Sequence, residues 1–452
     1  MLDKKIVLPP TTLNRTTTEP DSYAYYVLGV LFIVYVFNFI DRQAMSVFIG
    51  PIKEEFGASD TAMGLLVGFA FAFLYTFAGI PIARWADQGN RRNIIAIGLA
   101  LWSTMTIATG LAKTFTHLVI ARVGVGIGEA AGTPPAHSII ADYFPVKRRA
   151  TALAIYSTGV FAGSAIAYLG GGYLRENFDW QVAFFILGAP GLLFVLILRF
   201  TVKEPERGAA EARLVTRQAD KSENTSLLRT LSYLVSSPSW VCLMLGASCL
   251  SIIGYGILMW GYEFYSRIHG LSPATVGKWM ALIVGLGGCG GTLLGGLMAD
   301  KLWLKRPSHA LYFPGLLTLL GMPFGIACLL VKSAELSLVL LFPFYILLCV
   351  YIPPMYSANQ NLAKLHMRAT ASAVCLFLIN IFGAGTGPFI VGALSDFFAN
   401  SHGTDGLRYA LIVTVVIGVV GCTLLMLTSR WLSDDLSKVT KQEHSDTSTA
   451  TV

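Results

Sequence analysis

The sequence is short of charge. Asp, Glu, Lys and Arg supply 13% of its 452 residues, about half the share in a soluble domain. With 54% hydrophobic residues and a mean hydropathy of +0.62, that scarcity excludes an ordinary soluble enzyme. Disorder and a coiled coil are excluded for most of the chain, because the apolar runs are long and Gly-rich. Paired cysteine motifs are missing too. Cys242, Cys249, Cys289, Cys328, Cys349, Cys375 and Cys422 all lie in apolar segments and none belongs to a CxxC. Neither a zinc site nor a disulfide framework is therefore expected, and each Cys reads as a small hydrophobe. No GxxxxGK[ST] loop occurs, so ATP is not the expected energy source. No catalytic triad or metal spacing falls at one depth, so neither an enzyme, a metal nor a cofactor is expected. Residues 1–20 are polar and the first apolar run is too long for a leader core, so no cleavable signal is expected.

What is present is a series of apolar segments, each near the ~20 residues that a membrane helix needs. Twelve are read: 23–50, 61–83, 92–112, 115–141, 149–172, 181–200, 238–266, 273–299, 308–331, 336–363, 370–397 and 405–431. They fall as six, a break, and six. The expected organisation is an N-terminal tail (1–22), a six-helix bundle (23–200), a linker (201–237), a second six-helix bundle (238–431) and a C-terminal tail (432–452). The linker is the one long polar interior stretch, a solvated segment with room for a short surface helix. The tails are Thr/Ser-rich and read as disordered.

Cations fix the expected orientation. With both tails in the cytoplasm, 23 of the 33 Lys and Arg lie on the inner side and seven on the outer side, with Arg42, Arg122 and Arg199 inside spans. This asymmetry accounts for the net charge of +7 without nucleic acid, which is not an expected partner.

The halves echo each other. TPPAHS (133–138) matches IPPMYS (352–357), and RATALA (149–154) matches RATASA (368–373), both at an offset of 219 residues. Asp87 with Arg91 and Arg92 after span two is repeated by Asp300 with Lys305 and Arg306 after span eight. Parallel six-span repeats are a transporter architecture, with a central site between the halves. Each pair of repeats forms a complete pathway, so a monomer suffices.

Charge at membrane depth is costly and marks function by default. Asp41, Arg42, Arg122, Glu129 and Glu263 stand out within the spans. Asp41 lies nine residues before Gly50 in an outward span, ~13 Å from its end. Glu129 lies twelve residues after His117 in an inward span, ~18 Å down. Both reach similar depth, and Arg122 shares a face of span four with Glu129. Two carboxylates beside a guanidinium in a low-dielectric cavity form a protonation switch: when Arg42 leaves a carboxylate for an anionic substrate, that carboxylate takes a proton. Static pairing of Asp41 with Arg42 and of Arg122 with Glu129 is the plainer alternative. Arg42 is the candidate headgroup ligand, since a guanidinium reads phosphate or carboxylate at two points. Arg122 is either a further ligand or a packing residue.

At the 219 offset Glu129 falls on Leu348 and Arg122 on Leu341. One half of the cavity is thus charged and the other apolar, with Tyr345 among its aromatics, which suits an amphiphile. Asn380 on span eleven is a neutral candidate for the cavity. Glu263 and Arg267, four residues apart, read as an outer gate. Asp87, Arg91, Arg92, Asp142, Arg149, Asp300, Lys305 and Arg306 read as a cytoplasmic gate: Asp87 meets Arg149 or a helix N-terminus when that side closes, and Arg91 and Arg92 sit at lipid headgroups. Gly383, Gly385, Gly387 and Pro388 weaken span eleven where it bends.

Two loop stretches, GIPIARWADQGNRR (79–92) and GLMADKLWLKR (296–306), resemble the loop motif of the major facilitator superfamily. Ala83 and Gln88 depart from the usual Gly and basic residue. RVGVGIGEA (122–130) resembles its span-four motif. NFIDR (38–42), GIGEAAGTPPAHSIIADYFPVKRRATALAIYSTG (126–159) and GAGTGP (383–388) resemble the Spinster family. The resemblance implies an all-α membrane protein of the major facilitator fold, with twelve helices in two pseudo-symmetric halves. It further implies proton-coupled transport of a sphingosine phosphate-like or lysophospholipid-like lipid by alternating access, with Asp41 and Glu129 carrying protons and Arg42 at the headgroup. The short linker and tails suit a bacterial-type member in the inner membrane. A transporter of small organic anions or drugs on the same fold is the alternative.

Overall fold

The computed structural model describes residues 22–207, 227–364 and 367–449. Almost all of the N-terminal tail, the middle of the linker and residues 450–452 lie outside the described residues. Among the described residues every regular element is helical.

Ten helical stretches are long and apolar enough to cross a membrane, and two features turn ten into twelve. The last stretch, Thr370–Val439, is two spans, because Gly403 at φ +55° turns the chain, a backbone conformation that glycine adopts without a Cβ clash. The fourth span is missing from the ten because it is broken into Phe115–Glu129 and Thr133–Tyr143. Pro134 and Pro135 carry no N–H, so the helix cannot run through them unbroken. The related Pro353 and Pro354 interrupt span ten more briefly, between Ala334–Cys349 and Ile352–Asn361, and Ala334–Asn361 still counts as one of the ten stretches.

The remaining spans follow in order: one, Ser22–Val47; two, Asp60–Gln88; three, Arg91–Gly110; five, Val146–Ser157 with Gly159–Asn177; six, Trp180–Thr201. After a short linker helix, Leu227–Val235, come seven, Pro238–Arg267; eight, Pro273–Trp303; and nine, His309–Leu330. Span eleven runs from Arg368–Leu378 through a widened π-turn, Ile379–Thr386, into Gly387–His402. That π-turn holds Gly383 and Gly385, where the sequence was expected to weaken. Six span starts are capped by a side chain: Ser59, Asn90, Thr114, Ser237, Ser272 and Ser333 each accept a first-turn N–H.

Span twelve does not end at 431, and the following tail is not irregular: one helix covers Gly406–Thr449. Residues 432–449 contain neither Gly nor Pro, and Asp435 anchors the extension. Its carboxylate accepts from the Ser237 hydroxyl at 2.8 Å and the Ser239 amide at 3.2 Å at the start of span seven.

The two halves meet chiefly on the face away from the termini, here the far face. Spans two and eleven cross there in backbone contact: a Cβ on Gly64 would sit 2.6 Å from the Pro388 carbonyl oxygen. Spans five and eight cross likewise, and a Cβ on Gly277 would sit 2.4 Å from the Tyr168 carbonyl oxygen. Only small residues allow such approaches between membrane helices. Toward the termini face, Thr133–Tyr143 packs on Val146–Ser157 and Ile352–Asn361 packs on Arg368–Leu378, each pair within its own half.

Candidate functional site

Span one carries Asp41 and Arg42, and span four brings Arg122 and, two turns further along, Glu129 against them. All four are buried, Glu129 completely. The Arg42 Nε donates to Glu129 Oε2 at 2.8 Å. Its guanidinium carbon lies 4.9 Å from the ring centre of Phe39, 4.7 Å from Phe71 and 4.6 Å from Tyr75, within cation–π range of all three. Among the described residues, neither terminal nitrogen of Arg42 finds a hydrogen-bond acceptor. Glu129 Oε1 is buried and also lacks a hydrogen-bond partner.

Arg122 points elsewhere. Its terminal nitrogens donate to the backbone carbonyls of Asp41 at 3.3 Å and Arg42 at 3.2 Å. It braces span one against span four and is buried there at 2% exposure, an arrangement that favours packing over ligand duty. Asp41 does not pair with Arg42, and Arg122 does not pair with Glu129; the ion pair is the crossed one, Arg42 with Glu129. The Asp41 carboxyl lies beside Thr106 of span three.

Around this cluster stand aromatic rings from both halves. Tyr35 and Tyr156 stack with centroids 4.4 Å apart. In the second half Tyr351 shares a hydrogen bond with Ser251 at 3.3 Å. Tyr345 is buried against Gly288 of span eight. Asn380 sits partly buried in the π-turn of span eleven, and its side chain makes no hydrogen bond among the described residues.

The far face is closed by a charged network wider than the two residues expected there. Glu263 accepts from Arg267 at 3.2 Å and from Arg175 of the first half at 3.3 Å. Arg267 reaches Asp60 of the first half at 2.7 Å, and Asp60 also accepts from Lys53 and Ser395, each at 2.6 Å. Asp396 of span eleven accepts from the amides of Asp60 at 3.0 Å and Thr61 at 2.7 Å, so one half caps a helix of the other. Sequence reasoning missed Asp60, Arg175 and Asp396. The first two look like ordinary span-end charges. Asp396 carried a usable signal, being an acid in an apolar run.

On the termini face, Asp87 and Asp300 are exposed and form no ion pair among the described residues, and Lys305 and Arg306 are exposed as well. Arg149 donates to the Ala141 carbonyl at 2.8 Å. Arg91 is not at the lipid headgroups: it is 1% exposed and pairs with Asp142, with Glu204 at 2.7 Å and with the Ser138 hydroxyl at 2.8 Å. Five N–H groups on one rigid fork suit such an interior junction. Arg92 lies beside it, its amide donating to Glu204 at 2.9 Å and its side chain to the Val202 carbonyl at 3.1 Å. The start of the linker is therefore strapped to the first half rather than solvated. Replacing Arg91 with alanine leaves Asp142 and Glu204 without this cation. The expected loss is about 3 kcal/mol, at the low end for a broken buried pair because Glu204 reaches solvent. A lowered melting temperature in detergent is the measurement.

The family model of the Major Facilitator Superfamily matches residues 31–384. An MFS-type efflux pump of Mycolicibacterium smegmatis is 34% identical over 407 residues, covering 90% of this chain and 92% of its own. Protein spinster homolog 1 of Xenopus tropicalis is 26% identical over 449 residues, covering 90% and 81%. The crystal structure of a bacterial homolog to the human lysosomal transporter Spinster, inward-facing and unoccupied, is similar with a TM-score of 0.84 and 32% identity over 92% of this chain and 99% of that one. Proteins of this kind carry small molecules across membranes and are not enzymes. The chain belongs to the Major Facilitator Superfamily and is a Spinster-like, multi-pass membrane transporter within it.

Proposed function

We propose that this transporter moves an amphiphile with an anionic or zwitterionic head, of the sphingosine phosphate or lysophospholipid kind, and couples that movement to protons. Arg42 receives the head, and Glu129 and Asp41 carry the proton. The observation that carries this reading is the half-used guanidinium of Arg42: Nε is spent on Glu129 at 2.8 Å, and the two terminal nitrogens remain for a phosphate or carboxylate. An anion that draws Arg42 away leaves Glu129 as an unpaired buried carboxylate. That state costs several kcal/mol at membrane depth, and a proton removes the cost. The second half, uncharged at this level and bearing Tyr345, Tyr351 and Asn380, is the surface for an acyl or sphingoid chain.

The positive-inside count supports a cytoplasmic termini face, in the inner membrane of a bacterial cell. Asp87 and Asp300 then serve as cytoplasmic latches that engage when this side closes, and Glu263 with Arg267 belongs to the outer gate. The efflux named for the mycobacterial relative supports export, with protons moving inward. One pair of halves makes a pathway, so the working unit is a monomer.

The test is flux in proteoliposomes under an imposed pH gradient, with labelled sphingosine phosphate, lysophospholipid and a short-chain organic anion. Gradient-dependent lipid flux that the short anion does not displace supports the proposal. Saturable flux of the short anion alone transfers the reading to a transporter of small organic anions or drugs.

A further inference from the structure

We infer that Tyr168 is a positioning residue that ties the charged site on span one to closure of the far face. Gln43 follows Arg42 directly in the chain, and its Nε2 donates to the Tyr168 hydroxyl at 3.1 Å. That hydroxyl in turn donates to the backbone carbonyl of Leu258 on span seven, in the other half. Gln43 is 1% exposed and Tyr168 not at all. The Tyr168 ring lies parallel to that of Tyr262, also on span seven, with centroids 6.4 Å apart and planes 6° apart. The Tyr168 carbonyl meets Gly277 of span eight. One residue thus sits where spans one, five, seven and eight converge.

Its depth sets it apart. The other side-chain hydrogen bonds that join the halves, among the described residues, lie at the far rim and involve Asp60, Thr61, Arg175, Glu263, Ser266, Arg267, Ser395 and Asp396. Tyr168 precedes Arg175 by seven residues, ~10 Å further toward the site, and Leu258 precedes Glu263 by five, ~7 Å further. Opening the far face must separate the hydroxyl from the Leu258 carbonyl. A buried polar group left without its partner pays its desolvation in full. The partner on the near side, Gln43, rides on the turn of span one whose carbonyls Arg122 holds. Displacement of span one when Arg42 leaves Glu129 therefore reaches Tyr168 through a single side chain.

The test needs no substrate, so it succeeds or fails apart from the lipid reading. Spin labels on Glu54→Cys and Thr404→Cys, exposed positions on the far face of each half, report the opening by pulsed electron resonance in a background free of native cysteines. Tyr168→Phe keeps the ring and its stacking and removes only the hydroxyl. The population at long distance is expected to rise about fivefold, the equivalent of one net hydrogen bond. Gln43→Leu should shift it in the same direction, and the double variant should shift it by less than the product of the two, since both act through one hydroxyl. An unchanged distance distribution in Tyr168→Phe, whether or not the melting temperature falls, overturns the inference. Independent, multiplying effects of the two substitutions overturn the link to span one.

Discussion

Arg42→Ala is expected to reduce substrate flux by at least about a hundredfold, the effect of losing a desolvated, two-point contact to an anion worth roughly 3 kcal/mol. Loss of flux alone does not identify a ligand, because the same substitution strands Glu129, whose Oε1 is already without a partner. Two further variants separate the effects. Arg42→Ala combined with Glu129→Gln removes the stranded charge, so the melting temperature should return toward that of the parent while flux stays absent. Arg42→Lys keeps the charge but gives up the planar fork and the stacking on Phe71 and Tyr75. It should retain a residual flux, roughly tenfold below the parent, since an ammonium meets a phosphate as a point charge. A double variant that regains both stability and flux would show that Arg42 serves only to neutralise Glu129.

The sequence carries much of this arrangement because membranes restrict what a chain can do. Span number, the two six-helix halves and the repeat are legible from hydropathy and from TPPAHS and IPPMYS at one offset. The shared depth of Asp41 and Glu129 follows from residue counts along two helices of opposite direction. Partner choice does not follow. Depth places Arg42 near both carboxylates, and only the side-chain geometry selects Glu129 and sends Arg122 to the span-one backbone. The far-face closure is hidden for another reason. Asp60, Arg175, Glu263, Arg267 and Asp396 come from four spans, and apart from Glu263 and Arg267 they share no local spacing. Arg91 misleads because a cation at a span end usually meets headgroups. Here Glu204 of the linker and Asp142 of span four fold back on it, a contact between residues more than a hundred positions apart on the Glu204 side.

Glu129→Gln is expected to separate substrate movement from proton movement. Glutamine has the shape of glutamate, and its amide oxygen still accepts from Arg42 Nε at the place Oε2 occupies. What it cannot do is change charge. In the proposed cycle of the parent protein, an anion on Arg42 and a proton on Glu129 keep the buried cluster near one net charge. In the variant, Arg42 is permanently unopposed by Glu129, so an anionic substrate binds without calling for a proton. Exchange of labelled for unlabelled substrate across the liposome membrane should therefore persist within about threefold, while accumulation against a gradient, driven by pH, should fall to the level seen with no pH difference. The free guanidinium should also tighten anion binding, by up to about tenfold if the lost pair was worth roughly 1.4 kcal/mol of competition. Asp41→Asn should weaken gradient-driven accumulation in the same direction but by less, because Asp41 touches Arg42 only through the backbone that Arg122 braces. Glu129→Gln that still accumulates substrate on a pH gradient, with Asp41→Asn unable to, would move the proton from span four to span one and leave Glu129 as a structural partner of Arg42.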